Sequence, residues 1–230
     1  MGELAVISLG GSIIVPGEVD TSFLEQFSGA LRSYLAEKKS RKVILVCGGG
    51  APARQYQQAL TAVCPESDAE ELDWLGIRAT HINGQLVKAI FSDLCPDNLV
   101  INPTGHISFK GQVLVAAGWK PGFSTDTDAV LLAERFGGKL IINLSNISKV
   151  YTDDPKKNPD TEPLDAISWS QFRQMVGETW EPGKNTPFDP VASQRAERLR
   201  MQVICADGRN IPNLLDILNG RSYVGTLIGS

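Results

Sequence analysis

The chain has 230 residues, of which 42% are hydrophobic and 21% charged, with a formal net charge of -4. These proportions exclude a disordered or low-complexity chain. The acidic balance also lacks the surplus of Lys and Arg that a nucleic-acid partner demands. Cys47, Cys64, Cys95 and Cys205 are widely spaced and form no metal-ligand pattern with His81 and His106, so reduced thiols and no protein-held metal are expected. No apolar run is long enough to cross a bilayer, and the apolar start breaks at Gly10 and Gly11. No membrane partner is expected, and the cytoplasm is the expected location.

In chain order, Leu4 to Leu9 is a short apolar run ending in Gly10, Gly11 and Ser12, the pattern of a buried strand feeding a glycine turn. Asp20 is placed to cap a helix in which Phe23, Leu24, Phe27, Leu31 and Leu35 recur at helical spacing. Val43 to Val46 reads as a second strand, running into Gly48, Gly49 and Gly50 before a helix over Ala53 to Val63. The apolar positions from Leu72 to Leu94 predict a long helical region with a break around Gly76. Leu99 to Ile101 and Val113 to Ala116 are expected as strands, the second ending at Gly118 in a loop rich in Gly, Pro, Ser and Thr.

Asp126 to Phe136 reads as a helix, Leu140 to Leu144 as a strand, and Asp153 to Pro163 as a Pro-rich polar loop. Ser168 and Gln171 have the spacing of a capping box. A loop over Gly177 to Pro187 precedes Asp189 and Pro190, which open a helix through Leu199. Val203 to Ala206, Leu214 to Leu218 and Thr226 to Ile228 complete the alternation. Repeated alternation of strand and helix predicts a three-layer α/β/α sandwich with a mainly parallel central sheet. Neither repeat nor linker divides the chain, so residues 1–230 are expected to form a single domain.

Parallel sheets place ligands at the carboxyl ends of their strands, where free backbone N-H groups face outward. Glycines stand at three of these ends, at Gly10 with Gly11, at Gly48 to Gly50, and at Gly118 with Gly122. Without Cβ atoms they let a polyphosphate approach the backbone. One such cluster alone is a tight turn, whereas three at separate strand ends point to phosphate binding. No GxxxxGK[ST] occurs and no GxGxxG follows the first strand, which sets aside P-loop and dinucleotide folds. Arg54, early in the helix after the triple glycine, is placed to pair with phosphate oxygens through its planar donors.

The stretches ISLGGSIIVP, VCGGGAPARQYQ, LDWLGIRATHING, GWKPGFSTDTDAVLLAE and NLSNISKVYTDDPKKNP resemble, in the same order, motifs of the amino-acid kinase superfamily. The likeness is strongest to its archaeal-type UMP kinases and continues through FDPVAS to the terminal GTLI. The resemblance implies an amino-acid-kinase-like sandwich, with acceptor binding in roughly the first 125 residues and ATP binding in the rest. It implies transfer of the γ-phosphoryl of ATP to UMP, giving UDP and ADP, with Mg2+ accompanying ATP. It also implies a homo-oligomer, commonly a hexamer built from dimers.

Position by position, the resemblance puts Gly11, Ser12, Gly50 and Arg54 around the ATP phosphates, and Ser145, Asn146, Tyr151 and Asp154 at the nucleoside end of ATP. Gly49 would face the acceptor phosphate, and Asp73 would accept ribose hydroxyl hydrogen bonds. The loop of Trp119, Lys120, Pro121, Gly122, Phe123, Ser124 and Thr125 would wrap UMP. Asp126 would organise the cations of the active site, and with Arg54 it is the expected catalytic pair.

Three departures qualify the likeness. Many relatives have Lys two residues before the first glycine pair, where this chain has Ser8, and another Lys after the DP motif, where it has Gln194 followed by Arg195. The VDG pattern usual before VYT is altered to Ile147, Ser148 and Lys149. Lys149 or Lys120 is the expected substitute cation, and slower chemistry is expected rather than none. Two alternatives stand beside this reading. One is a superfamily member with another small acceptor, such as isopentenyl phosphate, carbamate or an acyl carboxylate. The other is a nucleotide-binding paralogue weakened in catalysis.

Overall fold

The computed structural model describes residues 3–153, 158, 160–179 and 186–229. The elements run β1 (Leu4–Leu9), α1 (Gly11–Ile14), α2 (Thr21–Ala36), β2 (Lys42–Cys47), α3 (Gly50–Val63), α4 (Ala69–Ile90), β3 (Val113–Ala116), α5 (Thr125–Phe136) and β4 (Leu140–Ser145). They continue with β5 (Val150–Tyr151), β6 (Pro163–Leu164), β7 (Ala166–Ile167), α6 (Trp169–Val176), α7 (Pro190–Arg198), β8 (Gln202–Asp207), α8 (Ile211–Leu218) and β9 (Thr226–Ile228).

Seven strands form one sheet in the order β3-β2-β1-β4-β8-β9-β7. The first five are mutually parallel, and β9 runs antiparallel to β8. Alternate side chains divide between two cores, as the two-residue period of a strand requires. Ala5, Ile7 and Leu9 of β1 join Val43, Leu45 and Cys47 of β2 beneath α2 and α8. Val6, Ile44 and Val46 face the opposite way, into the layer of α5, α6 and α7. Both faces being covered explains why the strands read as continuous apolar runs. Among the described residues no helix is long and apolar enough to cross a membrane.

The caps follow the sequence signals. Asp20 accepts from the Phe23 N-H, Asp189 from Ala192, and Ser168 with Gln171 forms a reciprocal capping box. Gly137, in the left-handed region at φ 76°, closes α5, a position where a side chain would be strained.

Four expectations change. The helix expected from Ala53 begins at Gly50, because the third glycine itself turns the chain into it at φ +67°. The expected break at Gly76 does not occur. α4 runs unbroken, and the missing Cβ there makes room for Gln57 of α3, which donates to the Leu72 carbonyl at 2.9 Å. Leu99 to Ile101 makes a single bridge, Val100 to Ala116, rather than a strand. Pro103, two residues past Ile101, has no N-H to extend a ladder. The polar loop expected over Asp153 to Pro163 is flanked by a two-stranded hairpin of β5 and β6, whose strands are too short to leave a periodic signal.

The carboxyl ends of β1 and β2 touch through backbone alone. A Cβ on Gly11 would lie 2.0 Å from the Gly50 nitrogen, and one on Gly50 would lie 2.4 Å from the Gly11 oxygen. Gly17, by contrast, has nothing within 4 Å of such an atom. Gly11→Ala is therefore expected to cost on the order of 3 kcal/mol in urea unfolding, while Gly17→Ala is neutral or slightly stabilising. Equal midpoints for the two variants would contradict the close approach.

Candidate active site

The five parallel strands end along one edge, and the turns that leave them interlock. Gly48 N-H donates to the Leu9 carbonyl at 2.9 Å, Gly10 N-H to Leu144 at 2.8 Å, and Ala51 N-H to Val15 at 2.9 Å. Asn83 of α4, buried to 3% exposure, donates through Nδ2 to the carbonyls of Gly48 at 2.8 Å and Gly49 at 3.1 Å. With their carbonyls held by Asn83, these glycines leave backbone N-H groups for anionic oxygens. Ser12 is half-buried beside Gly11, and Arg54 is exposed five residues into α3. Arg209, in the turn after β8, adds a second guanidinium here, with Nη2 at 3.3 Å from the Ser12 carbonyl oxygen.

The loop of residues 119–125 is tied to α4 at its start and at its tip. Gly118 N-H donates to Thr80 Oγ1 at 2.8 Å, and His81 Nε2 lies 2.8 Å from the Gly118 carbonyl, which assigns the proton to that nitrogen. At the loop tip, Gly122 N-H donates to Asp73 Oδ2 at 2.9 Å, so the carboxylate expected to meet a ribose also pins the loop. Burial raises the Asp73 carboxyl above its ordinary value, and the Gly122 bond opposes that shift. Trp119, half-buried, packs on Phe123 with ring centroids 5.0 Å apart, and the Lys120 ammonium lies over both rings. Pro121 is half-buried beside the exposed Gly122, and Ser124 caps α5 just ahead of Thr125.

Asp126 links three elements. Its Oδ1 accepts from Ser8 Oγ at 2.8 Å, and its Oδ2 accepts from the Asp189 N-H at 3.1 Å. Burial, then the neighbouring Asp189 charge, push its carboxyl up to about 6 against those two bonds. Asp128, one turn-face away on α5, accepts the Trp119 N-H at 3.2 Å and is driven up to about 8, first by burial and then by Asp126. Asp189 is also raised by burial, against donors from Ala192 and Thr127. Among the described residues, Asp128 Oδ1 and Asp189 Oδ2 are buried and find no hydrogen-bond partner.

Of the residues expected at the nucleoside end of ATP, Ser145 closes β4, with its carbonyl accepting from Gly208 at 2.8 Å, and Asn146 follows, exposed. Tyr151 is half-buried in β5, and Asp154 lies outside the described residues. Neither expected substitute cation stands free. Lys149 pairs with Asp165, and Lys120 covers the aromatic pair. Gln194 turns to the Glu178 carbonyl at 3.0 Å, and Arg195 pairs with Glu134 at 2.6 Å. The sequence reading missed Asn83, Thr80, His81, Asp128, Asp189 and Arg209 as parts of the site. Asn83 and Asp128 carry a usable signal, since a polar residue on an apolar helix face must be bonded inside the fold.

The profile described as the amino acid kinase family matches residues 3–207. A uridylate kinase of Thermofilum pendens is 32% identical over 235 residues, covering 99% of each chain. One from Pyrococcus abyssi is 31% identical over 229 residues, covering 97% of this chain and 98% of the relative. The crystal structure of uridylate kinase from Archaeoglobus fulgidus superposes with a TM-score of 0.80 at 27% identity, over 97% of this chain and 99% of that one. A UMP kinase structure from Bacillus anthracis, at 17% identity and a TM-score of 0.76, shares the fold.

The raised Asp128 carboxyl sets a stability prediction. Its folded value of about 8 exceeds the ordinary 3.8, so between those values the unfolded chain releases a proton that the folded chain retains. Stability then falls as pH rises through this window. Asn matches the protonated acid in shape and leaves an oxygen for the Trp119 N-H. Asp128→Asn, nucleotide-free and in chelator, is expected to exceed the parent by a few kcal/mol at pH 8 and to match it near pH 4. Denaturant melts at both values check this, and a variant less stable at pH 8 contradicts it.

Proposed function

Because the chain belongs to the amino acid kinase family, we propose that it is an ATP-dependent UMP kinase in which the two interlocked glycine turns hold the phosphates of donor and acceptor end to end. The observation that carries this reading is the backbone contact between Gly11 and Gly50, beside a loop clasped by Asp73. The near-full-length likeness to uridylate kinases supports the choice of acceptor.

Gly11, Ser12 and Gly50 offer backbone donors to the ATP phosphates, and Arg54 and Arg209 bring positive charge beside them. Gly49 faces the acceptor phosphate. Asp73 receives ribose hydroxyls while holding Gly122, and residues 119–125 enclose the base. Ser145, Asn146, Tyr151 and Asp154 receive the nucleoside of ATP. Asp126 holds β1, α5 and the start of α7 in register, so that the glycine turn above Ser8 keeps its shape.

Phosphoryl transfer asks for alignment and charge compensation rather than covalent help, which suits a site made chiefly of backbone. Mg2+ bound with ATP offsets charge on the β- and γ-phosphates. Mg2+ takes one or two carboxylates at most and completes its shell with substrate phosphates and water, as suits an ion that arrives on the nucleotide. A single domain, a cytoplasmic location and a hexameric homo-oligomer belong to the same proposal. Exposed Tyr56 and Val63 on α3 and Ile82 on α4 supply apolar area that such an assembly would cover.

ATP, Mg2+ and UMP are expected to yield UDP, with CMP, AMP and isopentenyl phosphate as poorer acceptors. Arg54→Ala is expected to lower kcat/KM by about 100-fold, and Asp73→Asn to act mainly on the KM for UMP. Folded protein that binds ATP and UMP without forming UDP contradicts the kinase reading. That result favours the catalytically weakened paralogue, the alternative to which the missing cation at Ser8 lends support.

A further inference from the structure

The loop of residues 119–125 is entered through a glycine whose backbone is gripped from three sides. Gly118 N-H donates to Thr80 Oγ1 at 2.8 Å, the Gly118 carbonyl meets His81 Nε2 at 2.8 Å, and the Trp119 N-H donates to Asp128 Oδ2 at 3.2 Å. The last two bonds fall on one peptide unit, its carbonyl held from α4 and its N-H from α5. Residue 118 has to be small, because a Cβ there would lie 3.0 Å from Thr80 Oγ1. Glycine, however, leaves the peptide that follows it free to rotate. Rotation of this peptide would break both bonds and change φ at Trp119. The aim of the Trp119 ring, with Phe123 and the Lys120 ammonium packed on it, would change as well.

The histidine is itself held in the form that donates. Arg78 Nη1 donates to His81 Nδ1 at 3.4 Å, and a guanidinium has no acceptor to offer in return. Nδ1 therefore presents its lone pair, and the ring proton stays on Nε2 facing the Gly118 carbonyl. Arg78 lies over the Trp74 ring, 5.3 Å from its centroid, a contact that steadies the guanidinium. Trp74, Arg78 and His81 thus follow one another along a single face of α4. The same helix holds the loop tip through Asp73 and Gly122.

We propose that His81 is a positioning residue for the acceptor nucleotide. Its Nε2-H locks the peptide between Gly118 and Trp119, and Arg78 keeps the ring in the donating tautomer. His81 acts through the loop rather than on the reacting atoms, so its loss weakens acceptor binding more than phosphoryl transfer. This inference rests on residues 119–125 being the acceptor loop of a UMP kinase, and the experiment separates the two claims.

Steady-state rates of the full chain are measured with UMP and ATP varied separately. His81→Leu is expected to raise the KM for UMP by about 5- to 10-fold, with little change in kcat or in the KM for ATP. His81→Gln, whose amide keeps a donor for the carbonyl, is expected to recover most of that loss. Arg78→Met is expected to raise the same KM by a smaller factor, and an unchanged KM overturns the part assigned to Arg78. Equal losses in His81→Leu and His81→Gln, or an effect on kcat with the KM for UMP unchanged, overturn the positioning role. Side-chain 1H-15N spectra of the nucleotide-free chain, at about pH 8 where an ordinary histidine is neutral, supply an independent readout. His81 and His106 are the two histidines, and the signal missing from His81→Gln is expected in the Nε2-H form. The Nδ1-H form at that ring overturns the proposal. A parent that forms UDP while every variant matches it overturns this inference alone, whereas a parent that forms no UDP overturns the kinase reading and this inference with it.

Discussion

The structure depends on one close approach, that of the Gly10–Gly11 backbone to the Gly48–Gly50 backbone at adjacent strand ends. A Cβ at Gly11, Gly48 or Gly50 would overlap main-chain atoms of the facing turn, and main chain cannot move aside as a flexible side chain can. Parallel pairing of β1 with β2 sets the two turns side by side, and Asn83 fixes the carbonyls of the second from behind. The result is a rigid backbone surface whose outward N-H groups need no rearrangement to meet phosphate, the preorganisation that phosphoryl transfer rewards.

Asp126 is the second organising point, and its environment has a cost. Its carboxyl ties β1 to the starts of α5 and α7, yet it shares this volume with two further acids. Two unit charges 4 Å apart interact by about 4 kcal/mol at an effective dielectric of 20. The cluster therefore stays intact only by holding protons or by gaining a cation. The raised carboxyls describe the first condition.

Most of the fold was legible in the sequence because both sheet faces are buried. Apolar runs such as Val43 to Val46 and capped helices such as that begun by Asp20 leave strong local signals. The hairpin of β5 and β6 and the start of α3 at Gly50 were not legible, since two-residue pairings and a positive-φ glycine leave no periodicity, while the strand expected over Leu99 to Ile101 shrank to the single bridge at Val100. The site divides the same way. The glycine turns announce themselves by composition, whereas the Ser8 to Asp126 contact joins residues 118 positions apart, and the Asp73 to Gly122 contact depends on how α4 lies against the loop. Lys149 and Lys120 are right in charge for a substitute cation, but tertiary packing gives each another partner.

The most direct measurement is a crystal structure of the protein with UMP and a non-hydrolysable ATP analogue bound together. The account predicts both terminal phosphates against the paired turns, one on each side of the Gly11 and Gly50 contact, close enough for in-line transfer. Nucleotides bound elsewhere, or held too far apart to react, would contradict it.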